Sequence, residues 1–183
     1  MKKTAIILCL LLVMVSSGCA DNNSNESEKA VKAGDSITVD YTGRLLDGTV
    51  FDTSVEEIAI ESNVYTPQRE YKPLGFVAGA GMVIPGFDNA VIGMAVGEEK
   101  VVTIPPEEAY GPCYDELVID VPQDDFVNAN ITPIIGQKIT SSQFQGIITD
   151  ISENNVTIDC NHHLAGETLV FTIKIVSIDS SNV

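Results

Sequence analysis

The sequence predicts an α+β fold, an antiparallel sheet with one helix at its side, plus a small β-rich insert near its far end. Three observations carry that reading. Most apolar runs are short and alternate with polar residues at period two, as half-buried strands do. One stretch, Ile84, Phe87, Val91 and Met94, repeats its apolar residues at helical spacing. Between Gly111 and Gly166 the strand-like runs are shorter and regularly punctuated by turn residues, which sets that stretch apart. The 183 residues are 44% hydrophobic, enough for a packed core. Ten basic against 26 acidic side chains leave a formal charge of −16. That balance argues against nucleic acid as a partner, because phosphate binding needs clustered Lys and Arg.

The first segment, residues 1–18, reads as an export signal. Lys2 and Lys3 precede eleven apolar residues, Ala5 to Val15, and the small residues Ser16-Ser17-Gly18 follow. A spanning helix needs roughly 20 apolar residues, so the run is too short for one. The residues before Cys19 are similar to a lipobox, with Ser16 where that motif usually has Leu. Cys19 is therefore the candidate lipidation site. The exported chain is expected at the outer face of the cell membrane, held by that lipid; free secretion and an uncleaved signal anchor are the alternatives. Residues 19–34 are polar and aperiodic, a solvated tether.

Ile37, Val39 and Tyr41 alternate with Ser36, Thr38 and Asp40 as a strand. Asp47-Gly48 signals a hairpin turn, and Val50-Phe51 begins the return strand. Glu56 to Lys72 reads as a short helix or a long loop. Leu74, Phe76 and Val77 form another short strand. Gly79-Ala80-Gly81 breaks the chain before the helix, which has Pro85 in its first turn and Gly93 and Gly97 near its end. Lys100 to Ile104 is a strand stopped by Pro105-Pro106. Leu169 to Ile175 alternates strongly and is apolar enough to lie centrally in a sheet. Within the insert, Leu117–Val121, Gln137–Thr140, Gly146–Ile151 and Val156–Asp159 are strands, and Gln123–Phe126 is a single helical turn.

Nucleophile and phosphate motifs are missing: there is no Gly-x-Ser-x-Gly, no phosphate-cradling loop and no His-Glu-x-x-His. His162-His163 stand beside Cys160, but adjacent histidines point apart in a strand and no second ligand pair exists, so no metal is expected. Of the four cysteines, Cys9 is in the apolar run and Cys19 is the lipid candidate. Cys113 and Cys160 remain, either as a disulfide or as two free thiols.

One ordered constellation rises above this background. Val39-Asp40-Tyr41-Thr42-Gly43, Asp47-Gly48-Thr49-Val50-Phe51-Asp52-Thr53-Ser54, Val83-Ile84-Pro85-Gly86-Phe87, Ala109-Tyr110-Gly111 and Leu169-Val170-Phe171-Thr172-Ile173 together resemble the FKBP-type peptidyl-prolyl cis–trans isomerases. Asn161-His162 with Leu164-Ala165-Gly166 is similar to the return from the insert-in-flap domain of the SlyD-like branch. The stretch from Glu56 to Tyr71 is similar to that of archaeal long-form members. The resemblance spans Asp35 to Ile178.

It implies an FKBP-type isomerase domain of residues 35–111 and 161–179, interrupted by an insert-in-flap domain of residues 112–160. It assigns catalytic roles to Tyr110, Asp52 and Tyr41, and substrate binding to Phe51, Val83, Ile84, Phe87, Phe171 and Leu74. Leu74 stands where macrolide-binding members have an aromatic, and Phe87 where they have Trp. From periodicity alone these apolar residues are plain core; family position moves them to a pocket. Bond rotation breaks no bond, so the resemblance implies no cofactor and no metal. The implied partners are proline-containing unfolded or nascent exported polypeptides, met by a monomer. In the insert, Ile131, Ile134, Ile135, Phe144, Ile147 and Ile148 are the candidate chaperone surface. The rival readings are a non-catalytic, proline-binding holdase and a structural surface lipoprotein.

Overall fold

A computed structural model describes residues 30–141 and 144–179. The signal segment, Cys19 and most of the tether lie outside the described residues. In chain order the elements are β1 (Ser36–Leu45), β2 (Val50–Thr53), α1 (Glu56–Glu61), β3 (Leu74–Val77), α2 (Pro85–Val91), β4 (Glu99–Ile104), β5 (Val118–Pro122), α3 (Gln123–Asn128), β6 (Lys138–Thr140), β7 (Gln145–Ile151), β8 (Asn155–Asp159) and β9 (Leu169–Asp179). Single 3₁₀ turns occupy Pro106–Glu108 and Asp115–Leu117.

Five strands form one antiparallel sheet in the order β2-β1-β9-β4. β3 shares an edge of β1 with β2, pairing Ser36–Val39 while β2 pairs Thr42–Arg44. The apolar last strand is central, running along β1 from Ser36↔Asp179 to Leu45↔Leu169 and along β4 on its other side. The β1–β2 turn closes as Asp47-Gly48 dictates: Gly48 has φ +89°, and the Asp47 carboxylate accepts from the Thr49 N–H at 2.8 Å.

The alternation on β1 and β9 sends Ile37, Val39, Tyr41, Phe171, Ile173 and Ile175 to one face, where α2 lays Phe87, Ala90 and Val91 on them. Close approach of α2 to β4 requires Gly86, since a Cβ there would lie 2.4 Å from Ile104 Cγ2. Ordered packing starts ahead of Asp35: Val31 is buried, and its N–H donates to Met94 O at 2.9 Å.

The remaining four strands form a separate antiparallel sheet, β5-β8-β7-β6. Ile148, Val156 and Ile158 are fully buried there, with Phe126 of α3 closing the cluster. The chain leaving the first sheet and the chain returning to it run side by side. Gly166 N–H donates to Gly111 O at 2.8 Å, Asn161 exchanges two hydrogen bonds with the Tyr114 backbone, and Cys160 N–H donates to Leu117 O at 2.9 Å.

Several expectations for the segment 112–160 need correction. Ile148 is not surface: period-two alternation along β7 puts it in the second core, fully buried, while Ile147 is half-buried on the opposite face. Phe144 packs half-buried against the same core. Ile131, Ile134 and Ile135 are exposed at 40%, 63% and 62%. The first strand starts at Val118 because Asp115–Leu117 is wound as a 3₁₀ turn. Of the two alternatives left open for Cys113 and Cys160, the structure has two free thiols. The Cys113 thiol donates to Ala165 O at 3.3 Å, whereas Cys160 packs half-buried against the second core.

Candidate active site

The pocket floor is made of aromatic rings delivered by four elements. Phe87 of α2 meets Phe171 of β9 edge-to-face at 5.2 Å; Phe51 of β2 meets Phe171 at 5.6 Å; Tyr41 of β1 meets Phe87 at 6.0 Å. Near-perpendicular packing of this kind is the geometry aromatic quadrupoles favour. Gly43 makes room for it: a Cβ there would lie 2.5 Å from Phe51 Cζ and 2.8 Å from Phe171 Cε1. That is the physical reason a glycine follows Tyr41-Thr42.

One wall is the turn before α2. Gly79 and Gly81 take positive φ, +74° and +67°, and their N–H groups donate to the two carboxylate oxygens of buried Asp88 at 2.7 and 2.9 Å. So anchored, the turn presents Met82, Val83 and Ile84 to the cavity. Among the described residues the Ile84 N–H has no acceptor, and its carbonyl accepts the first bonds of α2.

The rim is polar. The Tyr41 hydroxyl donates to Asp52 Oδ2 at 2.7 Å, and the Arg69 guanidinium donates to the Tyr41 oxygen at 3.0 Å while pairing with Asp52. Burial, reinforced by the Asp52 carboxylate, pushes the Tyr41 phenol up to about 12. Arg69 also lies over the Tyr71 ring, 5.2 Å from its centroid, and Tyr71 stacks on Tyr65. Across the mouth, Tyr110 is 40% exposed. Its phenol is raised above the ordinary range by partial burial and then by the Asp52 charge.

Tyr41, Phe51, Asp52, Leu74, Val83, Ile84, Phe87, Tyr110 and Phe171 thus line one cavity of about 490 Å³, joined by Gly81 and Met82. The six positions named in the second sheet do not line it. The sequence assigns Arg69 no role and places His162 only in the return motif, not at the pocket. Arg69 comes from an aperiodic loop, and the His162 ring stacks on Tyr110 at 4.0 Å and 7° across a separation of 52 residues. His162 and His163 do not point apart, because they sit in a loop entering a turn rather than in a strand; their centroids are 4.5 Å apart.

Residues 27–176 match the family described as FKBP-type peptidyl-prolyl cis-trans isomerase. The chain belongs to that family. It is 48% identical over 145 residues to the short-type peptidyl-prolyl cis-trans isomerase of Methanocaldococcus jannaschii, covering 79% of this chain and 92% of the relative. It is 35% identical over 117 residues to the FKBP-type isomerase SlyD of Helicobacter pylori, covering 62% and 63% of the two chains. Against SlyD of Treponema pallidum the figures are 32% over 146 residues, 78% and 74%. Within the FKBP-type fold, β1, β2, β9 and α2 supply the pocket floor, and the β1–β2 pair with the 62–73 loop supplies its polar rim.

Proposed function

We propose that this FKBP-type chain isomerises Xaa-Pro bonds of exported or unfolded polypeptides in the aromatic pocket, while the second sheet holds such chains nearby. The observation that carries the reading is the convergence of Phe51, Phe87 and Phe171 on an apolar cavity whose rim holds Tyr41, Asp52 and Tyr110. Rotation about an Xaa-Pro amide faces a barrier of ~18–20 kcal/mol. Water favours the planar amide by solvating its polarised carbonyl. A pocket that removes this solvation binds the twisted, less polarised form better than the ground state. A rate gain of 10³–10⁶ asks for about 4–8 kcal/mol, within reach of desolvation and a few hydrogen bonds.

In this mechanism the proline ring lies against Phe51, Val83, Ile84, Phe87 and Phe171. The Tyr110 hydroxyl and the Ile84 N–H donate to substrate carbonyls. Tyr41 and Asp52, held together by Arg69, keep the rim fixed. The exposed Ile131, Ile134 and Ile135 support a holding role for the second sheet. Export and lipid anchoring rest on the pattern around Cys19, and a Cys19→Ser change is expected to move the protein from the membrane fraction to the soluble fraction.

The deciding experiment is NMR exchange on an Ala-Leu-Pro-Phe peptide with the full chain. Accelerated exchange, reduced up to about tenfold in Tyr110→Phe, is the expected result, since one hydrogen bond to a substrate carbonyl is worth about 0.5–1.5 kcal/mol. Absent acceleration, with peptide-induced shifts still at the pocket, the protein is a proline-binding holdase instead.

A further inference from the structure

A second cavity, about 540 Å³, adjoins the aromatic pocket, and the family pocket makes no use of it. Lys138, Gln145, Ile147, Asn161, His162 and His163 line it. His162 belongs to this lining, and its ring stacks on Tyr110, which lines the aromatic pocket. The two cavities therefore share a wall two rings thick.

The chemistry of the lining runs against the composition of the chain. With 26 acidic and 10 basic side chains overall, this cavity gathers an ammonium, two imidazoles and two amides, and no carboxylate. Lys138 has no carboxylate within ion-pairing distance among the described residues. Asp159 stands opposite Ile147 in the sheet, but its Oδ1 accepts from the N–H and Nδ2 of Asn161, both at 2.8 Å.

We propose that this cavity is a subsite for an acidic side chain belonging to the same polypeptide whose proline occupies the aromatic pocket. The inference rests on the isomerase reading above. An extended chain advances about 3.3 Å per residue, so a residue a few positions from the proline passes the Tyr110–His162 wall. A carboxylate arriving there meets the Lys138 ammonium, the Gln145 amide and the imidazole N–H groups, His162 offering Nε2 because its Nδ1 accepts from the Leu164 N–H. The Asn161 Nδ2 hydrogens are already given to Tyr114 O and Asp159 Oδ1. Free anions meet the same donors, but only a tethered carboxylate gains from the proline already bound.

Burial, then the neighbouring His163, lowers the pKa of His162, so near neutrality Lys138 supplies the charge. The other groups at this wall are Tyr110, whose phenol stays neutral, Cys160, whose thiol is raised by burial and Asp159, and Asp159 itself.

The test uses the full chain and Ala-Leu-Pro-Phe extended with Gly and Ala, carrying one Glu, Gln or Lys at about two to six residues from the proline on either side. At one or two placements the Glu peptide should show a kcat/KM about two- to fivefold above the Gln peptide at low salt. The gap should close with added salt. Lys138→Glu should reverse the order in favour of the Lys peptide and leave the unextended peptide unchanged. Lys138 is exposed on a short edge strand, so the core is untouched. Equal turnover of Glu and Gln peptides at every placement overturns the subsite and leaves the isomerase. If no peptide is accelerated the isomerase reading fails, and Kd values from NMR titration decide. Equal Kd overturns the subsite as well; tighter Glu binding lost in Lys138→Glu upholds it.

Discussion

Tyr41 occupies two environments at once. Its ring is packed against Phe87 and its hydroxyl is clamped between Asp52 and Arg69. With the folded-state pKa at about 12 against an ordinary 10.0, the folded chain holds the phenolic proton more tightly than the unfolded chain does. The contribution is intact below pH ~10 and is lost as pH rises through ~12. Urea unfolding across that window should show a loss in wild type, at most about 3 kcal/mol, that Tyr41→Phe lacks. Parallel loss in both proteins would remove Tyr41 as its source. At this scale the sequence was readable where family position named the pocket residues and opaque where contact depends on tertiary approach. Ile147 and Ile148 are adjacent and equally apolar, and only the register of β7 on β8 assigns one to the core and the other to the opposite face.

The turn Gly79–Gly81 shows how one element sets another. A buried carboxylate on α2 satisfies two N–H groups of that turn, and the turn carries Met82, Val83 and Ile84 into the pocket wall. Asp88→Ala removes both hydrogen bonds from exposed turn glycines that water can reach, at about 0.5–1.5 kcal/mol each. The expected outcome is a lower urea midpoint together with a reduced kcat/KM, because the wall loosens with the fold. An unchanged midpoint would mean water replaces the carboxylate without cost. The strands were legible from period-two alternation, and β9 was placed centrally by its apolar run. The 62–73 loop was not legible as a supplier of Arg69, since no periodicity marks a residue that works by reaching across to Asp52 and Tyr41. The 3₁₀ turn at Asp115–Leu117 moved the next strand because short runs carry too few residues to fix a boundary.

Among the described residues there are two cores that share no residue. The larger draws on residues 31–109 and 164–178 and the smaller on residues 119–160. Excision of residues 115–159, with a short Gly/Ser linker, should therefore leave the first sheet folded and its pocket lining intact. Dispersed NMR spectra and retained exchange of a short proline peptide would show this, and suppression of aggregation by the truncated protein should be lost. Retained suppression would move the holding role to the first sheet. The insert's existence was legible because its strands are shorter and more heavily punctuated than the rest, whereas its exposed and buried isoleucines were separable only by register.

The docking of Val31 on Met94 has a further consequence, measured as a length. The described chain starts at the Ala30–Ala95 bridge, eleven residues after Cys19. At ~3.3–3.6 Å per residue, a lipid on Cys19 would leash the isomerase within about 40 Å of the bilayer. Such a leash turns a diffusing catalyst into a fixed station. Chains would be met as they leave the membrane, at a local concentration set by geometry rather than by expression level.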